Sequence, residues 1–261
     1  MKNLMPAKIK IALFYLRRVI NYYLVILLSK RCYDSIPDCF KDFNAIIHLF
    51  SRKVKDFFFI QIGANDGVKG DPLRKHIIRY NWSGILVEPI KYYFEKLVKN
   101  YTGQKGLFFE NVAISNTTGT SDIYYLKEEI LKNGKNPPWS NLLGSLDKKN
   151  VLSHKHKIPH IENYLVKETT KLITINELMY KYNVKKVDLL HIDAEGHEYK
   201  ILSTINFKTI RPRIIFYEHC NLGMDREKCR KLLKDNGYSF IELVNDTLAF
   251  IRFRDYGKLC P

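Results

Sequence analysis

Apolar and polar residues alternate along the chain in two rhythms, which predict strands and helices in turn. Short, continuous apolar runs bounded by glycine, proline or acidic residues are typical of strands buried on both faces of a sheet. Such runs predict strands over residues 57–62, 85–88, 107–114, 172–175, 187–192, 213–217, 239–244 and 248–253. Apolar residues at helical spacing predict helices over residues 38–52, 72–80, 89–97, 176–182, 198–204 and 226–235.

The order of these elements indicates how the chain folds. Strands and helices that alternate with short connections form parallel sheets with right-handed crossovers, so residues 56–261 are expected to form one doubly wound α/β domain. The last two strands flank Asn245 and Asp246 and predict an antiparallel hairpin. Residues 121–170 interrupt the alternation, and we expect a long irregular insertion there.

Residues 1–55 lie outside this alternation and predict a helical extension. The segment 9–28 is strongly apolar, but Arg17 and Arg18 interrupt it, and its unbroken part is about half of the ~20 residues that a spanning helix needs. No small-residue cleavage site follows, so we do not expect a signal peptide. On a helix the basic and apolar residues take different sides, which predicts contact with a membrane surface through residues 8–28. The alternative is that this helix packs on the domain or on a second subunit of a homo-oligomer.

Composition adds a constraint on partners and compartment. Hydrophobic residues make up 46% of the chain, which is enough for a sizeable core. The 43 Lys and Arg residues against 27 Asp and Glu give a net charge of +16, which favours nucleic acid, anionic lipid or acidic glycans. The alternative is a lysine-rich surface that reflects genome composition rather than a partner. Five cysteines without a CxxC pair indicate neither a zinc site nor a disulfide framework, and they predict a reducing cytoplasm.

A glycine loop follows the first predicted strand of the domain. Gly63 and Gly67 enclose Ala64 and Asn65, and two glycines at this point let the backbone turn sharply and approach a ligand. The loop lacks the third glycine of a dinucleotide-binding fingerprint, so by itself it can also be a simple tight turn. Glu88 ends the second strand about twenty residues further on, where a carboxylate can accept hydrogen bonds from ribose hydroxyls. Together they predict a nucleoside cofactor.

A cluster of acidic and imidazole side chains follows the strand at 187–192. Asp193, Glu195 and Glu198 lie within six residues of one another, and Glu218 and His219 follow the next strand. Such groups can remove a proton from a hydroxyl or hold a divalent cation such as Mg²⁺ through oxygen ligands. A solvated helix start, where acidic residues are favoured, explains Glu195 and Glu198 but not Asp193.

Four segments in this order and spacing resemble the FkbM family of methyltransferases: 61–67, 87–89, 111–115 and 192–198. The resemblance covers roughly residues 55–253, and its most specific part is the Asp-x-Glu-Gly-x-Glu block that begins at Asp193. It implies a class I methyltransferase fold, which is a Rossmann-like sheet of seven strands with the last antiparallel, and S-adenosylmethionine as cofactor. His191 departs from the lysine that is usual in the family.

The resemblance also implies roles for individual residues. Gly63, Ala64 and Gly67 would approach the methionine part of the cofactor, with Asn65 in the same loop, and Glu88 would hold the ribose. Asn111, Val112 and Ala113 would lie beside the adenine. Family members typically methylate hydroxyl groups of sugars, polyketides and glycolipids.

These expectations combine into a hypothesis for the reaction. A sugar hydroxyl is a poor nucleophile, so a general base is needed, and the candidates are Asp193 and His219, with Glu195 beside them. A metal-assisted route through Asp193, Glu195 and Glu218 stays open. The insertion is expected to form the acceptor wall, where Trp139, Tyr124 and Tyr125 can stack on a sugar and the His/Lys run at 154–157 can meet an anion.

We therefore expect an O-methyltransferase of surface glycans or glycolipids, with a role in polysaccharide biosynthesis at the inner face of the membrane. Two rivals are a nucleic-acid methyltransferase, which the positive charge favours, and an NAD(P)-dependent oxidoreductase, which also uses a glycine loop. The chain shows no RNA-binding signature, and the loop lacks the dinucleotide fingerprint. The sequence therefore argues against nucleic acid as a partner.

Overall fold

The computed structural model describes residues 43, 47, 51, 54–131, 134 and 136–251. Its main sheet has seven strands, in the order β3-β2-β1-β8-β9-β11-β10. Their bounds are β1 Phe58–Ile62, β2 Ser83–Val87, β3 Leu107–Glu110, β8 Leu189–Ile192, β9 Ile214–Glu218, β10 Tyr238–Glu242 and β11 Asp246–Ile251. Strands β1, β2, β3, β8 and β9 run parallel, whereas β11 is antiparallel to both of its neighbours. This order, with its one reversed strand, is the class I methyltransferase fold that the sequence predicts.

Six helices are described, and those that cover the sheet lie on both of its faces, as its fully buried strands require. They are α1 Arg74–Tyr80, α2 Lys91–Asn100, α3 Lys148–Ser153, α4 Ile175–Lys181, α5 Glu198–Leu202 and α6 Asp225–Asp235. Helices α4, α5 and α6 bury apolar residues in one core, and α1 and α2 bury theirs in a second core on the other face. Asp71 begins α1 by accepting hydrogen bonds from the backbone N–H groups of Leu73 and Arg74.

The predicted strand over residues 107–114 is wrong in its extent, because the chain leaves the main sheet after Glu110. The next strand, β4 Ala113–Ser115, belongs to a second sheet with β5 Gly119–Leu126, β6 Gly144–Ser145 and β7 Leu165–Thr174, in the order β4-β7-β5-β6. The irregular insertion expected over 121–170 is also corrected. Most of β5 and half of β7 lie in it and pair antiparallel along their length. This pairing is long-range, so neither run could reveal its partner.

Part of the extension before residue 56 is described, and it packs on the domain. Phe43 and Ile47 are helical, as predicted, and both are buried in the same core as α1 and α2. The ring of Phe43 stacks on that of Phe216 in β9, with centroids 4.0 Å apart. The expected membrane-surface helix over 8–28 lies outside the described residues. Within the described part of the chain, no helix has the length and apolar character needed to cross a membrane.

Candidate active site

A cavity of about 640 Å³ opens at the carboxyl ends of β1, β2, β8 and β9. The strand order reverses between β1 and β8, and open α/β sheets bind their ligands at such a switch point. Nine of the predicted cofactor, catalytic and metal residues line the cavity. They are Gly63, Ala64, Asn65, Glu88, Val112, Ala113, Asp193, Glu195 and Glu218.

The glycine loop is held against the end of β2. The backbone N–H groups of Gly63 and Ala64 both donate to the carbonyl oxygen of Val87, each at 3.0 Å. Gly63 has a φ of +79°, and a Cβ atom there would lie 1.8 Å from the carbonyl oxygen of Asp193. Glycine is therefore required at this position because the backbone after β8 occupies the space of a side chain. The glycine loop therefore contacts both the end of β2 and the backbone that follows β8.

Glu88 is buried at the end of β2, and its carboxylate holds two turns of backbone. Its Oε2 atom accepts a hydrogen bond of 2.8 Å from the N–H of Asn65, and its Oε1 atom accepts one of 2.8 Å from the N–H of Ile90. Burial raises the pKa of Glu88 to about 7, although these two hydrogen bonds oppose the rise. Each oxygen has a second lone pair, so the carboxylate can also accept hydrogen bonds from a ligand in the cavity.

Gly67 and Asn111 are expected to contact the cofactor, but the structure places neither in the cavity wall. A Cβ atom at Gly67 would lie 2.6 Å from the side chains of Leu97 and Tyr101, so this glycine allows close packing of the loop on α2. The side-chain amide of Asn111 donates to the carbonyl oxygens of Glu88 and Pro89, at 2.9 and 3.0 Å. Asn111 therefore braces the backbone around Glu88 and Gly67 packs the loop on α2, while their contact with the cofactor stays a prediction.

Three carboxylates converge on the other side of the switch point. Oxygen atoms of Asp193, Glu195 and Glu218 all lie within 4.8 Å of one another, a spacing that a divalent cation can bridge. Asn221 donates from its Nδ2 atom to Glu195 at 2.8 Å and to Glu218 at 2.9 Å. The amide therefore holds two of the three carboxylates together and partly offsets their repulsion.

The surroundings of this cluster disfavour negative charge. Shielding from bulk water raises the pKa of Asp193 and of Glu195 well above the usual carboxyl range, and the neighbouring Glu218 carboxylate raises both further. The side chain of Asp193 nevertheless stays open to the cavity. Burial also raises the pKa of Glu198 to about 8, and its Oε1 atom accepts a hydrogen bond from the N–H of Ala194. The cluster can thus hold protons at neutral pH or bind a cation in their place.

The expectation that His219 is a general base is not supported by its position. The residue follows β9 directly, but its side chain is buried outside the cavity wall, and its Nδ1 atom lies 2.9 Å from the hydroxyl of Thr247. The neighbouring Glu218 does line the cavity, so two adjacent residues at the end of β9 have different surroundings. His191 does line the cavity, stacked on Phe216, and burial lowers its pKa to about 3, so it is neutral.

Two polar residues of the wall, Asn221 and His197, are not among the individual catalytic or metal residues that the sequence predicts. Asn221 carries no sequence signal beyond its place three residues after Glu218. His197 lines the cavity, and its Nε2 atom lies 3.1 Å from the hydroxyl of Ser115 at the end of β4. Burial lowers the pKa of His197 to about 4, which leaves a neutral ring that can exchange hydrogen bonds with a ligand.

Residues of the insertion form another wall of the cavity. Of the three aromatic residues that were predicted to lie in this wall, only one does. Trp139 lines the cavity, whereas Tyr124 and Tyr125 do not. Tyr124 packs in the insertion's own apolar cluster, and the hydroxyl of Tyr125 donates to Glu168 at 3.2 Å. Ile123, which precedes both tyrosines, is the strand's contribution to the wall, and alternation along β5 turns the neighbouring Tyr124 to the opposite face.

Among the comparisons with known proteins, the match to a family model shows the family. Residues 61–255 match the family model of the methyltransferase FkbM domain. A search of curated proteins found no match. Among solved structures, an FkbM methyltransferase from Methylobacillus flagellatus KT is 11% identical with a TM-score of 0.46, over 77% of this chain and 45% of that one. This chain therefore spans less than half of that protein's length.

Two further structures are more distant. Fibrillarin from Aeropyrum pernix, crystallised with natively bound S-adenosyl-L-methionine, is 11% identical with a TM-score of 0.36, over 75% of this chain and 65% of that one. A putative RNA methyltransferase from Pyrococcus horikoshii is 10% identical with a TM-score of 0.38, over 87% and 92% of the two chains. The fold assignment rests on strand order, and the family assignment rests on the match over residues 61–255.

Proposed function

This chain belongs to the FkbM methyltransferase family and is an S-adenosylmethionine-dependent methyltransferase, and we propose that its acceptor is a sugar hydroxyl of a surface glycan or glycolipid. The observation that carries the proposal is the pairing of two features in one cavity. Glu88, a carboxylate placed where it can accept hydrogen bonds from a nucleoside, lines it together with a carboxyl group of raised pKa, Asp193. The first suits the cofactor and the second suits proton removal from a hydroxyl.

The residues at the ends of β1 and β2 fit the cofactor. Glu88 has lone pairs left for both ribose hydroxyls, and its fixed position removes the need to order a flexible side chain on binding. The backbone of Gly63 to Asn65 lines the cavity without bulky side chains. Ile90, Val112 and Ala113 offer an apolar surface suited to a planar base. S-adenosylmethionine, when bound, supplies a methyl group on a sulfonium, so no separate activation of the leaving group is needed.

The chain's own task is to align an acceptor oxygen and take its proton. Asp193 is our candidate for the proton, because its side chain reaches the cavity and follows β8 directly beside the glycine loop. Its raised pKa brings a carboxylate closer to the basicity that general-base catalysis favours at neutral pH. Glu195 and Glu218 would act on the same acceptor, either through hydrogen bonds or through a shared cation.

A metal-assisted route is a second form of the same proposal. Asp193, Glu195 and Glu218 offer the oxygen ligands that Mg²⁺ prefers, and a cation there would lower the pKa of all three. In this route the residues hold the acceptor hydroxyl close to positive charge, which makes its proton easier to lose. Turnover with and without Mg²⁺ separates the two routes.

The acidic cavity also bears on the nucleic-acid alternative. Glu88, Asp193, Glu195 and Glu218 all line it, and in their ionised form these carboxylates repel a phosphate backbone. The net charge of +16 would then serve a membrane surface or an acidic glycan rather than RNA.

We propose peripheral attachment at the cytoplasmic face through residues 8–28. The full-length Arg17→Glu/Arg18→Glu variant should sediment less with anionic liposomes, and equal sedimentation would refute this attachment.

The first experiment is isothermal titration of S-adenosylhomocysteine into wild type and Glu88→Ala, each with and without Mg²⁺. We expect micromolar binding by the wild type and a loss of at least about tenfold in the variant, since hydrogen bonds to a charged group contribute ~1.5–3 kcal/mol each. Glu177→Ala, on the surface at the start of α4, is the matched control. Wild-type affinity in Glu88→Ala would refute the assigned cofactor site.

A further inference from the structure

The insertion presents an aromatic and basic surface to the cavity. Trp139, His154 and Lys157, here called the Trp139 patch, all line it. The ring centroids of Trp139 and His154 are 5.5 Å apart in an edge-on arrangement, and the Nζ atom of Lys157 lies 5.7 Å from the Trp139 centroid. An exposed indole face is a common platform for the apolar face of a sugar ring, and a neighbouring ammonium attracts an anion.

Local backbone geometry selects which members of the His/Lys run reach the cavity. His154–His156 is a 3₁₀ helix, and the N–H of Lys157 donates to the carbonyl oxygen of His154 at 2.9 Å. With three residues per turn, His154 and Lys157 lie on the same side. Lys155 and His156 point elsewhere, and neither lines the cavity. The run therefore contains one histidine and one lysine that face the cavity, and a second histidine and lysine that do not.

The Trp139 patch has hydrogen-bonding capacity that the protein does not use. Both ring nitrogens of His154 are buried, and they lack a hydrogen-bond partner among the described residues. The ammonium of Lys157 has no carboxylate partner in the described part of the chain, whereas Lys69, also in the cavity wall, pairs with Glu128 at 3.5 Å. Buried polar groups are nearly always satisfied, so an unsatisfied imidazole at a cavity wall indicates a ligand or ordered water.

The charges around the cavity give it a polarity. The ends of β2, β8 and β9 contribute carboxylates, while the Trp139 patch contributes a lysine. The carboxylates repel a negatively charged group on the acceptor, and the lysine attracts it. These two forces favour one direction of entry for the acceptor. A neutral sugar would gain no such orientation.

We infer that the acceptor is a sugar that carries a carboxylate or phosphate group, with its ring on Trp139 and its anionic group at Lys157 and His154. The inference rests on the proposed methylation of a sugar hydroxyl. With the anion held at the insertion, the opposite part of the sugar is directed toward Asp193. The Trp139 patch would thus select the acceptor, while the carboxylates act on the hydroxyl that receives the methyl group.

The test measures binding of small probes to full-length protein saturated with S-adenosylhomocysteine, by ligand-observed NMR titration. The probes are methyl glucoside, methyl glucuronide and glucose 6-phosphate, which differ in the presence and type of the anion. The variants are Lys157→Gln and Lys155→Gln, which remove the same charge from neighbouring exposed positions. Saturation with S-adenosylhomocysteine is verified for each protein beforehand by calorimetry.

We expect the wild type to bind at least one of the two anionic probes more tightly than methyl glucoside, by about twofold to fivefold, as for a partly exposed charge pair. Lys157→Gln should lose this preference and Lys155→Gln should keep it. The preferred probe distinguishes a uronic acid from a sugar phosphate. Equal binding of all three probes, or equal losses in both variants, would overturn the inference. A failure of S-adenosylhomocysteine to bind would instead refute the cofactor site of the proposed function.

Discussion

Replacing Gly63 by alanine would place a methyl group where the backbone of Asp193 now lies. The added Cβ would be 1.8 Å from the Asp193 carbonyl oxygen and 2.9 Å from its carbonyl carbon. Since real Cβ contacts essentially never fall below 3.0 Å, the two backbone segments must separate by at least 1.2 Å. That shift strains the hydrogen bond of 3.0 Å from the N–H of Asp193 to the carbonyl oxygen of Ile62.

The expected cost has two parts that a matched variant can separate. The positive φ of +79° at Gly63 costs an alanine ~1–2 kcal/mol. Loss of one backbone hydrogen bond adds ~1 kcal/mol, and displacing the segment after β8 adds more, for a total of at least about 3 kcal/mol. Gly103 has a φ of +87° with nothing within 4 Å of an added Cβ, so Gly103→Ala carries the φ cost alone.

The assay is urea denaturation of wild type, Gly63→Ala and Gly103→Ala, followed by calorimetric titration of S-adenosylhomocysteine. Gly63→Ala should lower the free energy of unfolding by at least about 1–2 kcal/mol more than Gly103→Ala does, the excess reporting the clash with Asp193. It should also weaken ligand binding, which Gly103→Ala should leave unchanged. Equal losses of stability in the two variants would refute the claim that the Asp193 carbonyl excludes a side chain at Gly63.

Three further predictions concern the acidic cluster and the insertion. Asp193→Asn should lower turnover on a proven acceptor by about 10²–10⁴-fold. Without Mg²⁺, turnover of the wild type should rise with pH, because a raised pKa keeps the Asp193 carboxyl protonated at low pH. Asn221→Ala removes the amide between Glu195 and Glu218, so their titration, followed by infrared spectroscopy, should move to higher pH. Glu128→Gln, which removes the ion pair with Lys96 and the charge that accepts from Tyr92, should destabilise the protein by at most ~1 kcal/mol in urea denaturation.

Each of these predictions has an outcome that contradicts it. Near wild-type turnover in Asp193→Asn would exclude this residue as the base. A carboxyl titration that does not change in Asn221→Ala would show that the amide does not offset repulsion in the cluster. A loss well above 1 kcal/mol in Glu128→Gln would mean that Glu128, whose pKa its partners lower to about 2, anchors the insertion more strongly than an exposed ion pair can.

Local pattern was sufficient for most of the main sheet. The strands β1, β8 and β9 are continuous apolar runs, and their predicted and observed bounds agree within two residues at each end. The end of β3 was missed because apolar residues resume at Val112 after only two polar residues, Glu110 and Asn111, and only pairing with β7 shows that 113–115 belong to another sheet. The strands of the insertion escaped prediction because their partners are distant in sequence and their sides are mixed in polarity.

The sequence alone determined the order of strands and helices in the main sheet, the glycine loop and the carboxylates after β2 and β8, because each depends on residue type and short-range spacing. Which way a side chain faces was decided only by the tertiary structure. His219 turns toward Thr247, Asn221 joins Glu195 to Glu218, and Lys157 rather than Lys155 faces the cavity. The physical reason is that register, crossover and helix phase set direction, and these depend on partners far along the chain.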